Sequence, residues 1–448
     1  MRDSIDFKTM NIPKLFRKLL IPTVLGMIFN AIFIITDGIF VGKGIGSDAL
    51  AAVNITAPLF LINTGVALMF GIGASVVASV HLSQGKAKVA RINVTQAIIV
   101  SSVLLLIYAI GIVSNVERVA VWLGSSERLL PLAVEYMYWF VPFLVFSALL
   151  CSGMFFVRLD GASNYAMVCN IIPAIINIVL DYVFIFILKW GMFGAALATS
   201  LGYIVGAVMI LAYLFHPERI LHVCRVKLSK KSLYLTIRNV GYMCRLGFSS
   251  FLCETAIATM MFVGNYVFIR YLGEDGVAAY SIACYFFPIV FMVYNAIAQS
   301  AQPILSYNYG AKCTARVRET FRLALTTAIL CGAGVFLLTW IFSHQIVGMF
   351  LDSSYPAYNI AVKGLPLFAS GFVFFGINIV SIGYFQSLER DCPAMIITLL
   401  RGFALILLCF WILPIIWGSW GIWLAVPMSE LLTFLFVLVI YWLENRRN

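Results

Sequence analysis

Gly46-Ser47-Asp48-Ala49-Leu50-Ala51-Ala52-Val53-Asn54-Ile55 returns 227 positions later as Gly273-Glu274-Asp275-Gly276-Val277-Ala278-Ala279-Tyr280-Ser281-Ile282. At the same offset Trp190-Gly191-Met192-Phe193-Gly194 is answered by Trp417-Gly418-Ser419-Trp420-Gly421, with Leu-Ala following in both copies. The loop Gly85 to Arg91 likewise echoes Gly310 to Arg316. A period of half the chain makes two copies of one large unit.

What kind of unit follows from composition. The 448 residues are 62% hydrophobic and 11% charged, with a mean hydropathy of +0.99. No single soluble core buries that much apolar surface, so the bilayer is the solvent. Twelve stretches are long and apolar enough to cross it, numbered here as spans 1 to 12. They run roughly over 15 to 42, 49 to 80, 93 to 114, 130 to 157, 165 to 188, 191 to 215, 243 to 270, 276 to 307, 320 to 343, 357 to 387, 393 to 416 and 419 to 443. The first follows Arg17 and Lys18 but is too long for a signal peptide, so it reads as a retained helix. Six crossings per copy start both copies on the same side, which predicts an all-α membrane protein of two parallel six-helix repeats. The division expected is residues 1–215 for the first lobe, a basic linker over 216–242, and 243–448 for the second lobe.

Lys and Arg set the orientation. With the amino terminus in the cytoplasm, 24 of the 30 basic residues fall inside, among them Arg2, Lys8, the seven from Arg219 to Arg245, Arg401, Arg446 and Arg447. Outside remain Lys43, Arg118, Arg128, Lys189, Arg270 and Lys363, so both termini read as cytoplasmic in a bacterial or archaeal inner membrane. Cations on short loops beside anionic lipid account for the net charge of +11 without a nucleic-acid partner. The ten cysteines are scattered without a CxxC pair, and His81, His216, His222 and His344 lack ligand spacing. No cofactor is expected, and no GxxxxGK[ST] loop is present to hold nucleotide.

Most acids lie in loops. Asp37, Asp181, Glu254 and Glu430 fall inside spans, where a charged side chain costs about 2.5–3.5 kcal/mol and marks a pathway. Counting about 1.5 Å per residue from the span ends puts Asp37, Asp181 and Thr199 at similar depth in the outer half of the bilayer. Asn177 and Asp181 share a helical face, with Pro173 one turn earlier, where a kink would free backbone carbonyls. Two carboxylates, an amide oxygen and a hydroxyl form an all-oxygen set suited to a hard cation such as sodium. A proton is the other occupant that a pair of buried acids accepts. A hydrogen-bonded polar core that only fixes helix packing is the structural alternative. At the 227 offset these four correspond to Gly264, Ala404, Leu408 and Val426, so the cluster belongs to one copy alone. Glu254 reads as a substrate-facing or second coupling carboxylate, or as a structural acid. Glu430 has no charge partner visible in the sequence. Asn30, Phe33, Phe262, Tyr285, Tyr294 and Gln299 are candidates to line a substrate cleft, because aromatic faces attract organic cations. The glycines Gly38, Gly42, Gly46, Gly202 and Gly206 have small-xxx-small spacing suited to close helix packing.

Four segments together resemble the multidrug and toxic compound extrusion family: Asp37-Gly38-Ile39-Phe40-Val41-Gly42 with Ala49-Leu50-Ala51-Ala52, Asn177 to Phe186, Gly194-Ala195-Ala196-Leu197-Ala198-Thr199, and Pro303 with Tyr307-Asn308-Tyr309-Gly310-Ala311. The likeness runs from about Pro13 to Trp442. It implies a V-shaped, two-lobed antiporter of twelve helices that expels small cationic, often aromatic compounds against sodium ions or protons by alternating access. Asp37, Asn177, Asp181 and Thr199 match the amino-lobe ion site of the DinF-like branch, and Glu254 matches a helix-seven carboxylate used by other branches. Those branches carry an acid in helix ten, where this chain has neutral residues such as Asn378. A flippase for a lipid-linked intermediate shares the two-lobe plan, but a cleft for pyrophosphate calls for fixed cations, and the acids at membrane depth argue against it.

Overall fold

The computed structural model describes residues 5–226 and 229–447, without the side chains of Lys231 and of residues 444–447. Arg2 and Lys227 of the orientation count lie outside it, as do the side chains of Lys231, Arg446 and Arg447. The described residues form helices joined by turns and loops, with no strand among them. Spans 1 to 6 are Ile12–Gly44, Ser47–Ser83, Ala87–Val113, Leu130–Leu159, Ser163–Ile187 and Gly191–Phe215. Span 4 passes through a 3-10 turn at Val141–Phe143, where Pro142 withholds an N–H. Span 9 is Thr314–Ile341, span 11 Asp391–Trp417 and span 12 Ser419–Leu443. Span 10 is a pair, Pro356–Ala369 and Phe372–Ser387, bent by 42°.

Between spans 6 and 9 a single helical run covers Lys230–Gly310, 81 residues. At 1.5 Å per residue that is about 120 Å, four times the hydrocarbon thickness of about 30 Å. Gly273 breaks it with φ 67° and ψ −158°, a conformation open to glycine and strained for other residues. The run therefore supplies spans 7 and 8, which brings the spans among the described residues to twelve. The helix begins at Lys230 and not near 243, so the second half of the expected linker is already span 7. The first half is tied down: Leu221 is buried and its N–H donates to Asp160 Oδ1 at 2.8 Å, while Arg91 Nε donates to the Ile220 carbonyl at 2.8 Å.

Two compact units result, 1–251 with 306–313, and 252–305 with 314–448. In the first, span 1 packs along span 5, span 5 along span 6, and span 2 along spans 3 and 4. The base of span 7 joins this unit through two glycines. A Cβ on Gly73 would meet the Met243 backbone, and one on Gly247 would meet the Met69 backbone, so neither position admits a side chain at this approach. The Tyr307-Asn308 segment belongs here too, with the Asn308 amide donating to the Phe7 carbonyl at 3.3 Å. In the second unit the pairing of spans 5 and 6 returns as spans 11 and 12.

Burial refines the repeat. Spans 1 and 7, and spans 6 and 12, match at 227: buried Phe33 and Thr199 fall on buried Met260 and Val426. Span 11 does not. Asp181 is 0% exposed, whereas Leu408 at the 227 offset is 46% exposed and its neighbour Cys409 is 3%. Ala166, Cys169, Pro173, Ala174 and Asp181 all find buried partners at 228, on Ala394, Ile397, Arg401, Gly402 and Cys409. The counterparts expected for Asn177 and Asp181 are thus corrected by one residue, to Leu405 and Cys409. Neither is acidic, so the cluster still belongs to one copy.

Candidate functional site

Asp37 stands seven residues before the end of span 1, Asp181 six before the end of span 5, and Thr199 eight after the start of span 6. At 1.5 Å per residue they share a depth of about 10 Å from that end. The packing of span 5 against spans 1 and 6 brings them together as expected. Gly202 makes this possible: a Cβ there would lie 3.2 Å from the Pro173 carbonyl oxygen and 3.3 Å from Asn177 Cβ. Gly206 packs against Leu150 and Pro173 in the same way, while Gly38 and Gly42 face only the tip of Leu50.

Pro173 lies inside the α-helical part of span 5, where it has no N–H to offer the Cys169 carbonyl. Directly after Asp181 the helix changes, and Tyr182–Ile187 form a π turn. Such turns inside α-helices recur at functional sites, because the extra residue disturbs the backbone ladder and re-aims side chains.

Asn177, Asp181 and Thr199 are buried at 1%, 0% and 5% exposure. The Thr199 hydroxyl donates to the Ala195 carbonyl at 3.0 Å and accepts from Asn177 Nδ2 at 3.4 Å. That turns the amide nitrogen of Asn177 toward Thr199 and its oxygen away. Asp37 lies within reach of Asp181 and Thr199. Four oxygens then remain buried without a hydrogen-bond partner: Asp37 Oδ1, Asn177 Oδ1 and both carboxylate oxygens of Asp181. One buried orphan costs about 1–3 kcal/mol, and more if charged. Four in one cluster fit an occupant that is a cation.

Beside the cluster, still inside the first unit, is a small cavity. Asn30, Phe33, Pro173, Asn177, Thr199 and Tyr203 are among the residues that line it. Phe33 meets Tyr203 edge-on at 6.1 Å, and Tyr203 stacks on Phe60 at 6.1 Å. The sequence reading passed over Tyr203, although its position four residues after Thr199 puts it on the same helical face.

The other expected substrate residues scatter. Phe262 and Tyr285 are 77% and 68% exposed, Gln299 is half-buried, and none of the three lines this cavity. Tyr294 is corrected to a core residue: it is fully buried, and its hydroxyl donates to the Phe372 carbonyl at 2.7 Å. Glu254 is half-buried in the second unit and forms no ion pair among the described residues.

Glu430 does have a charge partner. Arg401 Nε lies 2.7 Å from Glu430 Oε1, with both side chains 4% exposed. Arg401 is thus not a cytoplasmic loop cation. It lies ten residues into span 11, inside a π turn over Leu400–Ala404. The Asn378 amide donates to Glu430 Oε2 at 2.8 Å, so the neutral residue of span 10 completes this site.

Twelve apolar helices in two related halves, with an acidic oxygen cluster at membrane depth, make a multi-pass integral membrane protein of the transporter class; the family comes from comparison. A family model described as MatE matches the chain twice, over residues 22–183 and 250–411, copies that start 228 residues apart. The chain belongs to the MatE family, whose members are transporters and not enzymes. It is 22% identical over 430 residues to the multidrug export protein MepA of Staphylococcus saprophyticus, covering 95% of this chain and 93% of that one. The MepA of Staphylococcus aureus is 22% identical over 434 residues, with the same coverage. Among solved structures, a substituted form of the Vibrio cholerae MATE transporter VcmN superposes with a TM-score of 0.89 at 19% identity, covering 98% of each chain. A transporter of the MOP superfamily from Pyrococcus furiosus superposes with a TM-score of 0.85 at 21% identity, covering 96% of this chain and 95% of that one.

Proposed function

We propose that the protein exports small cationic or aromatic organic compounds across a prokaryotic inner membrane, with both termini cytoplasmic, in exchange for sodium ions or protons. The observation that carries this reading is the set of four orphaned buried oxygens on Asp37, Asn177 and Asp181. An entering cation satisfies them and draws spans 1, 5 and 6 together. An ion that binds one conformation better shifts the population toward it by that difference, and linkage makes the effect reciprocal for the exported compound. The cavity that shares Asn177 and Thr199 with the cluster puts Phe33 and Tyr203, aromatic faces suited to an organic cation, next to the ion. The names of the staphylococcal relatives, multidrug export proteins, support the substrate class. A lipid-linked pyrophosphate calls for unpaired fixed cations, and Arg401 is already matched by Glu430.

Dye or drug efflux in everted vesicles, under an imposed sodium gradient and separately under an imposed pH gradient, tests the reading. Either gradient should drive efflux in the wild type, and flux that ignores both contradicts exchange. Glu254 is assigned to the substrate side. Glu254→Gln should slow export of cationic compounds more than neutral ones, because an opposite charge is worth more in a low dielectric than in water. Equal loss for both would remove it from that role.

A further inference from the structure

The second unit has a small cavity of its own. Six of its nine lining residues stand at repeat positions that line the first cavity. Ile257 and Met260 take the places of Asn30 and Phe33, Arg401 and Gly402 those of Pro173 and Ala174, and Val426 and Glu430 those of Thr199 and Tyr203. The two cavities are one feature of the repeat, furnished twice.

The furnishing differs in a way that bears on coupling. In the first unit both oxygens of Asp181 are orphaned. In the second, Glu430 has neither oxygen free: Oε1 faces Arg401 and Oε2 accepts from Asn378. The guanidinium is held further by the Phe375 ring, whose centre is 4.3 Å from Cζ. Asp37's own place is closed, since Gly264 lies against the ring of Tyr280. A carboxylate at low dielectric needs a counter-cation. A cation tethered on the next span is present at a far higher effective concentration than any ion in solution.

The geometry points to Arg401 as a resident cation that holds the place in the second cavity which a mobile coupling ion takes in the first, so that Glu430 binds no ion and each cycle couples through one site. This rests on the reading of the Asp37 cluster as the coupling site. Cys253, Glu254 and Tyr294 are the other titratable groups near the pair, and none supplies a second cation.

The test measures bound radiolabelled sodium and proton uptake on purified full-length protein. Wild type should bind one cation, and the Asp37→Asn, Asp181→Asn double variant none. Adding Arg401→Met to that double variant should restore about one bound cation, and a further Glu430→Gln should remove it again. Restored binding that depends on Glu430 supports the inference, and no gain from a folded Arg401→Met overturns it while leaving the first site intact. If the wild-type cation survives in the double variant, the coupling-site reading fails first. Should Arg401→Met not accumulate, the double variant decides alone: a bound cation that is lost on Glu430→Gln would show that Arg401 does not exclude one.

Discussion

Where the first unit places Tyr203 the second places Glu430, and where the first places Pro173 the second places Arg401. Both units therefore keep a polar pocket between the helices that follow one another as spans 5 and 6 or spans 11 and 12. In the first, two acids, an amide and a hydroxyl leave oxygens unmatched. In the second, the charge of an acid is met internally by a guanidinium and its Oε2 by an amide, although Arg401 Nε and Nη1 and Asn378 Oδ1 make no hydrogen bond. Buried acids without a cationic side chain call for a counter-cation, whereas an acid already paired with a guanidinium does not. Duplication supplied the frame, and the polar residues within it divided binding from bracing.

The comparison is most easily broken at Arg401. Arg401→Met leaves Glu430 buried and unpaired, and should lower stability by about 3–5 kcal/mol in thermal unfolding in detergent. Arg401→Met with Glu430→Gln should recover most of that loss. A single variant as stable as wild type would mean that the pair does not brace the second unit.

Gly202→Ser sharpens it, because Ser429 occupies the matching position in span 12. The added Cβ would press on the Pro173 carbonyl and on Asn177 Cβ, and overpacking of this kind costs about 1–3 kcal/mol. Asn177 should be pushed out of the cluster, so ion-dependent protection against thermal unfolding should shrink along with stability. Stability and ion response that are both unchanged would show that the close approach of spans 5 and 6 does not shape the site.

The smallest effect on folding belongs to the acids themselves. Asp37→Asn or Asp181→Asn should leave stability within about 1 kcal/mol of wild type, since each keeps the side chain's size and Asp37 Oδ1 and both Asp181 oxygens have no partner to lose. Gradient-driven efflux should nevertheless stop. Full transport by both variants would make the cluster a packing device like its counterpart.

The repeat, the spans and the acidic cluster were legible because each depends on information local to a helix. An apolar run of about 20 residues reports a crossing, the Asn177 to Asp181 spacing reports a shared face, and distance from a span end reports depth. The Arg401–Glu430 pair depends on how span 11 is rotated against span 12, and a π turn at Leu400–Ala404 sets that rotation. Arg401 passed for a loop cation, although ten residues of helix precede it. The faces of spans 7 and 8 were not legible for a related reason, since which side of each turns inward depends on how it is rotated against its neighbours. Tyr294 is buried and Phe262 exposed. Asn30 and Phe33 line the first cavity because span 1 turns Asp37 toward span 5, which turns the residues one and two turns earlier the same way.

The measurement closest to the central claim is the affinity of a cationic drug for the purified protein as sodium is raised, and again as pH is lowered. It is made on wild type and on Asp37→Asn. If a cation held by Asp37, Asn177 and Asp181 exchanges with the drug, wild-type affinity falls along at least one titration and the variant loses that dependence. Wild-type affinity indifferent to both ions would contradict exchange at this cluster.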